Sequence, residues 1–164
     1  MGSKVTFSRA NLRICLVVGI LLLPFAVKAQ GTASKSAVVD DSNVRPPITK
    51  VDLQIVKRAR EILDSPAKWN RADNRECPAG AKTFSLYCAL QMATNEVSGK
   101  SAHRGAALQE ARFVIDEIAA ERKYEHRLMN YNNDPTTTFA DIQEVFRITE
   151  SLIALRLKAN AGKQ

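Results

Sequence analysis

Three groups of residues in this chain are of types that do chemistry. The first is the pair Cys77 and Cys88, eleven positions apart, with Pro78 and Gly80 between them. The second is the run from Lys123 to Thr138, KYEHRLMNYNNDPTTT, in which His126 stands beside Glu125 and eight positions before Asp134. The third is Arg71, Asp73, Asn74 and Arg75, a polar stretch just after Trp69, the single tryptophan of the chain. An imidazole with neighbouring carboxylates is the unit of general acid–base catalysis, His126 moving the proton and Glu125 or Asp134 orienting it. Paired thiols serve as a staple, as metal ligands or as a redox couple. Arginine, aspartate and asparagine held on one tied loop make a recognition surface.

The compartment decides among the uses of the thiols. Residues 1–13 carry Lys4, Arg9 and Arg13 and no acid, and the apolar run Ile14 to Val27 follows directly. Val27 and Ala29 occupy the small-residue positions before a cut, the layout of a secretory signal peptide cleaved after Ala29. Those 14 apolar residues, broken by Pro24, fall short of the roughly 20 that a spanning helix needs, so no stable membrane insertion is expected after cleavage. Cys15 leaves with the peptide. In a periplasmic or secreted product Cys77 and Cys88 oxidise to each other. Closing that loop stabilises the fold by about 3 kcal/mol in the chain-entropy account. Metal and redox roles rank below this, because zinc needs two further ligands that the spacing does not nominate, and redox pairs usually stand two residues apart.

Cleavage also changes the electrostatic reading. The whole chain has a formal charge of +7, and loss of residues 1–29 removes four cations and no anion, leaving +3 over 135 residues. Both signs are interspersed along the remainder, so nucleic acid is not an expected partner. A chain of this length makes one domain with a sizeable core.

The candidate residues must be positioned by helices. Residues 30–48 are small and polar with a double proline, and are expected to form a flexible tail. Thr49 with Asp52 is a capping-box pair opening a first helix, whose inward positions Ile55, Val56, Ala59, Ile62 and Leu63 recur at three and four until Ser65-Pro66 stops it. Lys57, Arg58 and Arg60 read as its solvated face. Nothing is periodic from Ala67 to Lys82, a long loop that Trp69 and the cysteines would tie down. Thr83 or Ser85 caps a second helix ending at Gly99. A third helix is expected from about Ala102 to Arg122, with His103 at its start as a cap or surface residue. The polar run before Thr138 reads as a turn that Leu128 and Tyr131 anchor, and Thr138 with Asp141 caps a last helix over about 139–158. The expected map is therefore a signal peptide at 1–29, a tail at 30–48, a helical domain at 49–159 and a disordered terminus at 160–164. The fold class is all-α, a small bundle of about four helices with one disulfide-tied loop.

Trp69, the cysteine pair with Ala89 and Leu90 following Cys88, and the Tyr131, Asn132, Asn133, Asp134 turn together resemble a family of small bacterial all-helical proteins of unknown function. The likeness spans residues 50–157. The chain departs from the family pattern in carrying Gln91 where glycine is usual, and in its exported N-terminus. The resemblance implies the helical fold and supplies no chemistry.

No nucleophile is paired with His126 and no cluster has metal-ligand spacing, so no cofactor or metal is nominated. The expected function is that of an exported non-enzymatic module binding a protein or cell-envelope component, in the manner of an inhibitor or immunity protein, through Arg71, Asp73, Asn74 and Arg75. A small hydrolase or metal-assisted enzyme using His126, Glu125 and Asp134 is the alternative. Export predicts that intact-mass measurement on secreted or periplasmic protein finds a chain beginning at Gln30 with no free thiol; a species with two alkylatable cysteines would rule out the staple.

Overall fold

The computed structural model describes residues 44–162; the expected signal peptide and residues 30–43 of the expected tail lie outside them. Within that range the chain is all-helical: α1 (Lys50–Ile62), a short 3-10 turn at Pro66–Lys68, α2 (Leu86–Ser98), α3 (Ala106–Ile118), α4 (Arg127–Asn133) and α5 (Phe139–Ala161). No described helix is long and apolar enough to cross a membrane.

The helix boundaries follow from side-chain capping. Asp52 accepts from the Thr49 backbone N–H at 2.8 Å, and its second oxygen accepts from the Ala107 N–H at 3.2 Å. One carboxylate thus closes the first turn of α1 and serves an otherwise orphaned donor at the start of α3. Ser85 Oγ accepts from the Cys88 N–H at 3.1 Å to open α2, which ends at Gly99 with φ +67°, a left-handed conformation that glycine adopts without steric cost. Thr138 and Asp141 cap α5 reciprocally, at 2.8 and 3.3 Å.

Two expectations need correction. The third helix is shorter than expected, because residues 102–105 and 119–122 close as turns (Gly105 N–H to Ala102 O 2.9 Å; Arg122 N–H to Ala119 O 2.8 Å). The polar run before Thr138 is a fifth helix, α4, not only a turn. Its buried residues Leu128, Tyr131 and Asn132 stand at three and four, a helical stripe in which asparagine replaces one apolar member. At the other end α5 continues to Ala161, two residues past the expected domain edge.

α1 packs against α2 and α5, and α3 packs against α5 and α4. Val56, Leu63, Leu86, Leu90, Leu108, Ile115, Ile142 and Phe146 are fully buried between them. Alanines 59, 89, 93, 107 and 111 are also buried, which brings the helices close together. The segment ahead of α1 is fastened by charge. Glu110 on α3 is fully buried and bonds both Arg45, at 2.9 Å, and Arg156 of α5. Arg156 also donates to the Pro46 carbonyl at 3.1 Å.

The long loop between α1 and α2 is fixed at both ends. Cys77 and Cys88 form a disulfide with their Cα atoms 5.3 Å apart. The other end is held by α4. Asn132, fully buried, accepts from Trp69 Nε1 at 2.8 Å and from the Leu86 N–H at 3.0 Å, and donates to the Asn70 carbonyl at 3.0 Å. Asn133 then pairs with both backbone groups of Asp73, accepting from its N–H at 2.7 Å and donating to its carbonyl at 2.8 Å. Asn132→Ala leaves an indole N–H, a backbone N–H and a carbonyl without partners in the interior. It is expected to lower stability by about 3 kcal/mol in chemical denaturation, more than Asn133→Ala, whose partners are nearer solvent.

Candidate functional site

A cleft of about 430 Å³ lined by chemistry-bearing residues opens where α2, α3 and the entry to α4 meet. Tyr87 of α2 reaches it from one side, and His103 and Arg104 from the connection before α3. Arg112 comes from α3, Arg127 from α4, and Arg75 from the disulfide-tied loop. Val44 and Pro46 form an apolar edge, and Leu128 and Met129 an apolar patch of the lining. The chain has two histidines, and both His103 and His126 line this one cleft.

The centre of the wall is a Tyr87–His103 pair, hydroxyl to Nδ1 3.0 Å, with the rings edge to face and 5.5 Å between centroids. Burial pulls the His103 imidazole below its ordinary pKa, and Arg112, Arg75 and Arg104 lower it further, in that order. Burial likewise raises the Tyr87 hydroxyl. Arg112 is itself lowered by burial, with Arg127 adding to the effect. Its guanidinium donates to Gln109 Oε1 at 3.1 Å and to the His103 carbonyl at 3.2 Å, both neutral acceptors. Arg127 is paired with Asp116 at 2.5 Å, and its guanidinium lies 5.6 Å from the Phe113 ring centroid. Arg45 also lies over the Phe113 ring, 4.5 Å from its centroid, and its anchorage on Glu110 and Glu117 fixes the neighbouring Val44 and Pro46.

The sequence candidates divide into those the cleft uses and those it does not. Arg75 lines it, as do Glu125 and His126. Arg75 has φ +65°, the one non-glycine residue among those described with a positive φ. That conformation costs about 1 kcal/mol or more, and the Asp73 carboxylate holds it by accepting from the Arg75 N–H at 2.7 Å. Asp73 is therefore a buried support and not a contact residue. Asn74 bonds Glu76 at 2.9 Å. Arg71 lies 5.0 Å from the Trp69 ring centroid and donates to the Asp134 carbonyl at 2.9 Å, away from the cleft.

Asp134 does not orient His126. Its carboxylate accepts from Thr136 Oγ1 at 2.6 Å, from Tyr124 at 2.7 Å and from the Thr136 N–H at 2.9 Å, and pairs with Arg122 at 3.1 Å. The Thr136 and Tyr124 hydroxyls hold it well below the usual carboxylate range, at about 2. His126 caps α4 through its backbone, its N–H donating to Asn130 Oδ1 at 2.9 Å. Among the described residues no three His, Cys, Asp or Glu side chains converge as a metal site would require.

Sequence reasoning missed His103, Arg104, Arg112, Arg127 and Tyr87 as site residues. Arg127 adjoins the polar run already singled out, but Tyr87 and Arg112 sit within ordinary helix patterns. No spacing in the chain announces that these residues meet.

Residues 48–152 match the Family of unknown function (DUF6197), close to the stretch over which the likeness was drawn and more than half of the chain. No curated protein and no solved structure matches the chain. With two imidazoles in the protein, proton NMR resolves the site directly. His103 is expected to titrate below the ordinary histidine value near 6.5, and removing the Arg112 charge by Arg112→Met is expected to move it upward. A His103 titration at or above 6.5 in the unliganded protein would contradict the electrostatics described here.

Proposed function

The chain belongs to the Family of unknown function (DUF6197), and we propose that it is an exported, non-enzymatic binding module that takes an anionic face of a protein or cell-envelope component into the arginine cleft. The observation that carries this reading is the charge of the lining: four arginines against one carboxylate, Glu125, among the described residues. A partly buried guanidinium that meets only neutral acceptors among the described residues, as Arg112 does, is stabilised when a ligand brings an anion. The strained backbone at Arg75, held by Asp73 and by the disulfide-tied loop, supports the same reading, since strain of this kind persists where a position serves recognition. Binding through such a site acts as an inhibitor or immunity protein does, by occupying a surface and not by turning over a substrate.

The alternative, a small hydrolase or metal-assisted enzyme centred on His126, keeps Glu125 and His126 in the cleft and loses Asp134, which is engaged elsewhere. Among the described residues no hydrogen bond orients the His126 ring.

The two readings separate in one experiment. Oxidised protein carrying Arg75→Glu with Arg112→Glu is compared with the parent for retention of components from an envelope extract. Retention through the cleft is expected to fall at least about tenfold in the double variant and to weaken with salt, while Arg71→Glu, outside the cleft, leaves it unchanged. A component that is chemically converted by the parent and left intact by His126→Ala would replace the binding module with the enzyme.

A further inference from the structure

The lining specifies more than negative charge. Of the guanidinium groups at the cleft, Arg127 has Asp116 as its counter-ion. Arg75 and Arg112 have no carboxylate partner among the described residues, and both line the cleft that holds the Tyr87–His103 pair, Arg112 donating to the His103 carbonyl. Two unmatched cations facing one short stretch of wall suit an anion of charge two concentrated on a single centre. A carboxylate or a sulfate ester brings one charge. A phosphate monoester brings nearly two near neutral pH and three acceptor oxygens, enough to engage two guanidinium forks at once.

The remaining lining fits the other half of such a ligand. Val44 and Pro46 at one edge, with Leu128 and Met129, give a small apolar surface beside the cations. The volume of about 430 Å³ lies in the range of small-molecule sites. The Tyr87 hydroxyl and His103 contribute directional groups between the charged and apolar parts. Glu125, the one carboxylate of the lining among the described residues, disfavours ligands with a second anionic group and tolerates or attracts a cationic one.

We infer that the group recognised in the cleft is a phosphate monoester on a small apolar or neutral carrier, its phosphate held between Arg75 and Arg112. This rests on the reading of the cleft as an anion-binding site. The carrier can be a soluble ester or a lipid headgroup, and the phosphate chemistry is shared by both.

The test uses the oxidised protein and four probes of similar size: phenyl phosphate, phenyl sulfate, benzoate and phthalate, followed by calorimetry and by the His103 and His126 proton resonances. Phenyl phosphate is expected to bind at least about tenfold more tightly than each of the other three and to move the His103 resonance. Arg75→Met and Arg112→Met are each expected to lose about tenfold or more of that affinity, and Arg71→Met none, with unchanged amide spectra showing that the variants fold. Vesicles containing phosphatidate assign the source: binding to vesicles well above that of phenyl phosphate marks a headgroup, and equal affinity marks a soluble ester. Equal or tighter binding of phthalate or benzoate, lost in the same two variants, would overturn the phosphate assignment and leave the anion cleft standing. Absence of binding by all four probes and the vesicles would overturn both.

Discussion

The structure depends on one buried amide. Asn132 sits where α4, the start of α2 and the long loop converge, and it serves a side-chain N–H, a backbone N–H and a backbone carbonyl at once. An apolar residue there would leave those groups unpaired in the interior, and a charged one would be desolvated without a counter-ion. The asparagine amide carries its acceptor oxygen and its donor nitrogen as separate atoms on a short stem, so one atom takes both N–H groups while the other serves the carbonyl. Apart from its 3-10 turn and one bridge, in which the Asn70 N–H donates to the Phe84 carbonyl at 2.9 Å and the Phe84 N–H to the Lys68 carbonyl at 2.7 Å, the loop is irregular, and the Asn132–Asn133 pair serves backbone groups that this short pairing does not reach.

That clip changes the meaning of the disulfide. A Cys77–Cys88 bond by itself constrains only the last part of a loop that begins before Trp69. With Asn132 and Asn133 holding Trp69, Asn70 and Asp73, and the disulfide holding residue 77, the segment carrying Arg75 is bounded on both sides. The left-handed backbone at Arg75 is sustained by this double restraint together with the Asp73 carboxylate. Val44 and Pro46 of the lining are positioned by a different device, the buried Glu110, which draws Arg45 and Arg156 together. Removing one partner from such a cluster leaves a buried charge uncompensated, so its role is to specify where the segment lies more than to add net stability.

Charge is distributed accordingly. Arginines on the outer helix faces are matched locally, as with Arg58 to Glu96 at 2.6 Å and Arg147 to Glu144 at 2.6 Å, and these exposed pairs contribute little. The basic run on α1 is thus the solvated face its pattern suggests. The cleft brings together Arg75 and Arg112, which have no carboxylate partner among the described residues, which is why it, and not the more basic-looking helix, is where binding is proposed.

The sequence by itself determined the helical class, the caps at Thr49 and Thr138, the stop at Gly99, the disulfide partners and the anchoring of Leu128 and Tyr131, and it narrowed the cap of α2 to Thr83 or Ser85, of which the structure uses Ser85. These depend on local hydrogen bonding, on period along a helix, or on the pairing of two thiols, and each can be read within a window of about a dozen residues. It also placed Arg75, Glu125 and His126 among the candidates, without showing that they face one another. The helical state of Arg127–Asn133 was hidden because its asparagines bond across some sixty residues of sequence, to Trp69, Asn70 and Asp73, where a local reading turns them back on their own backbone. The cleft was hidden for the same reason: Arg75, Tyr87, His103 and Arg112 lie on a loop, a helix, a connection and another helix, and only the packing of α2 and α3 decides that their side chains share one wall. Local preferences act between neighbours in the chain; convergence of distant side chains is set by which helix faces bury against each other, and that is a property of the folded whole.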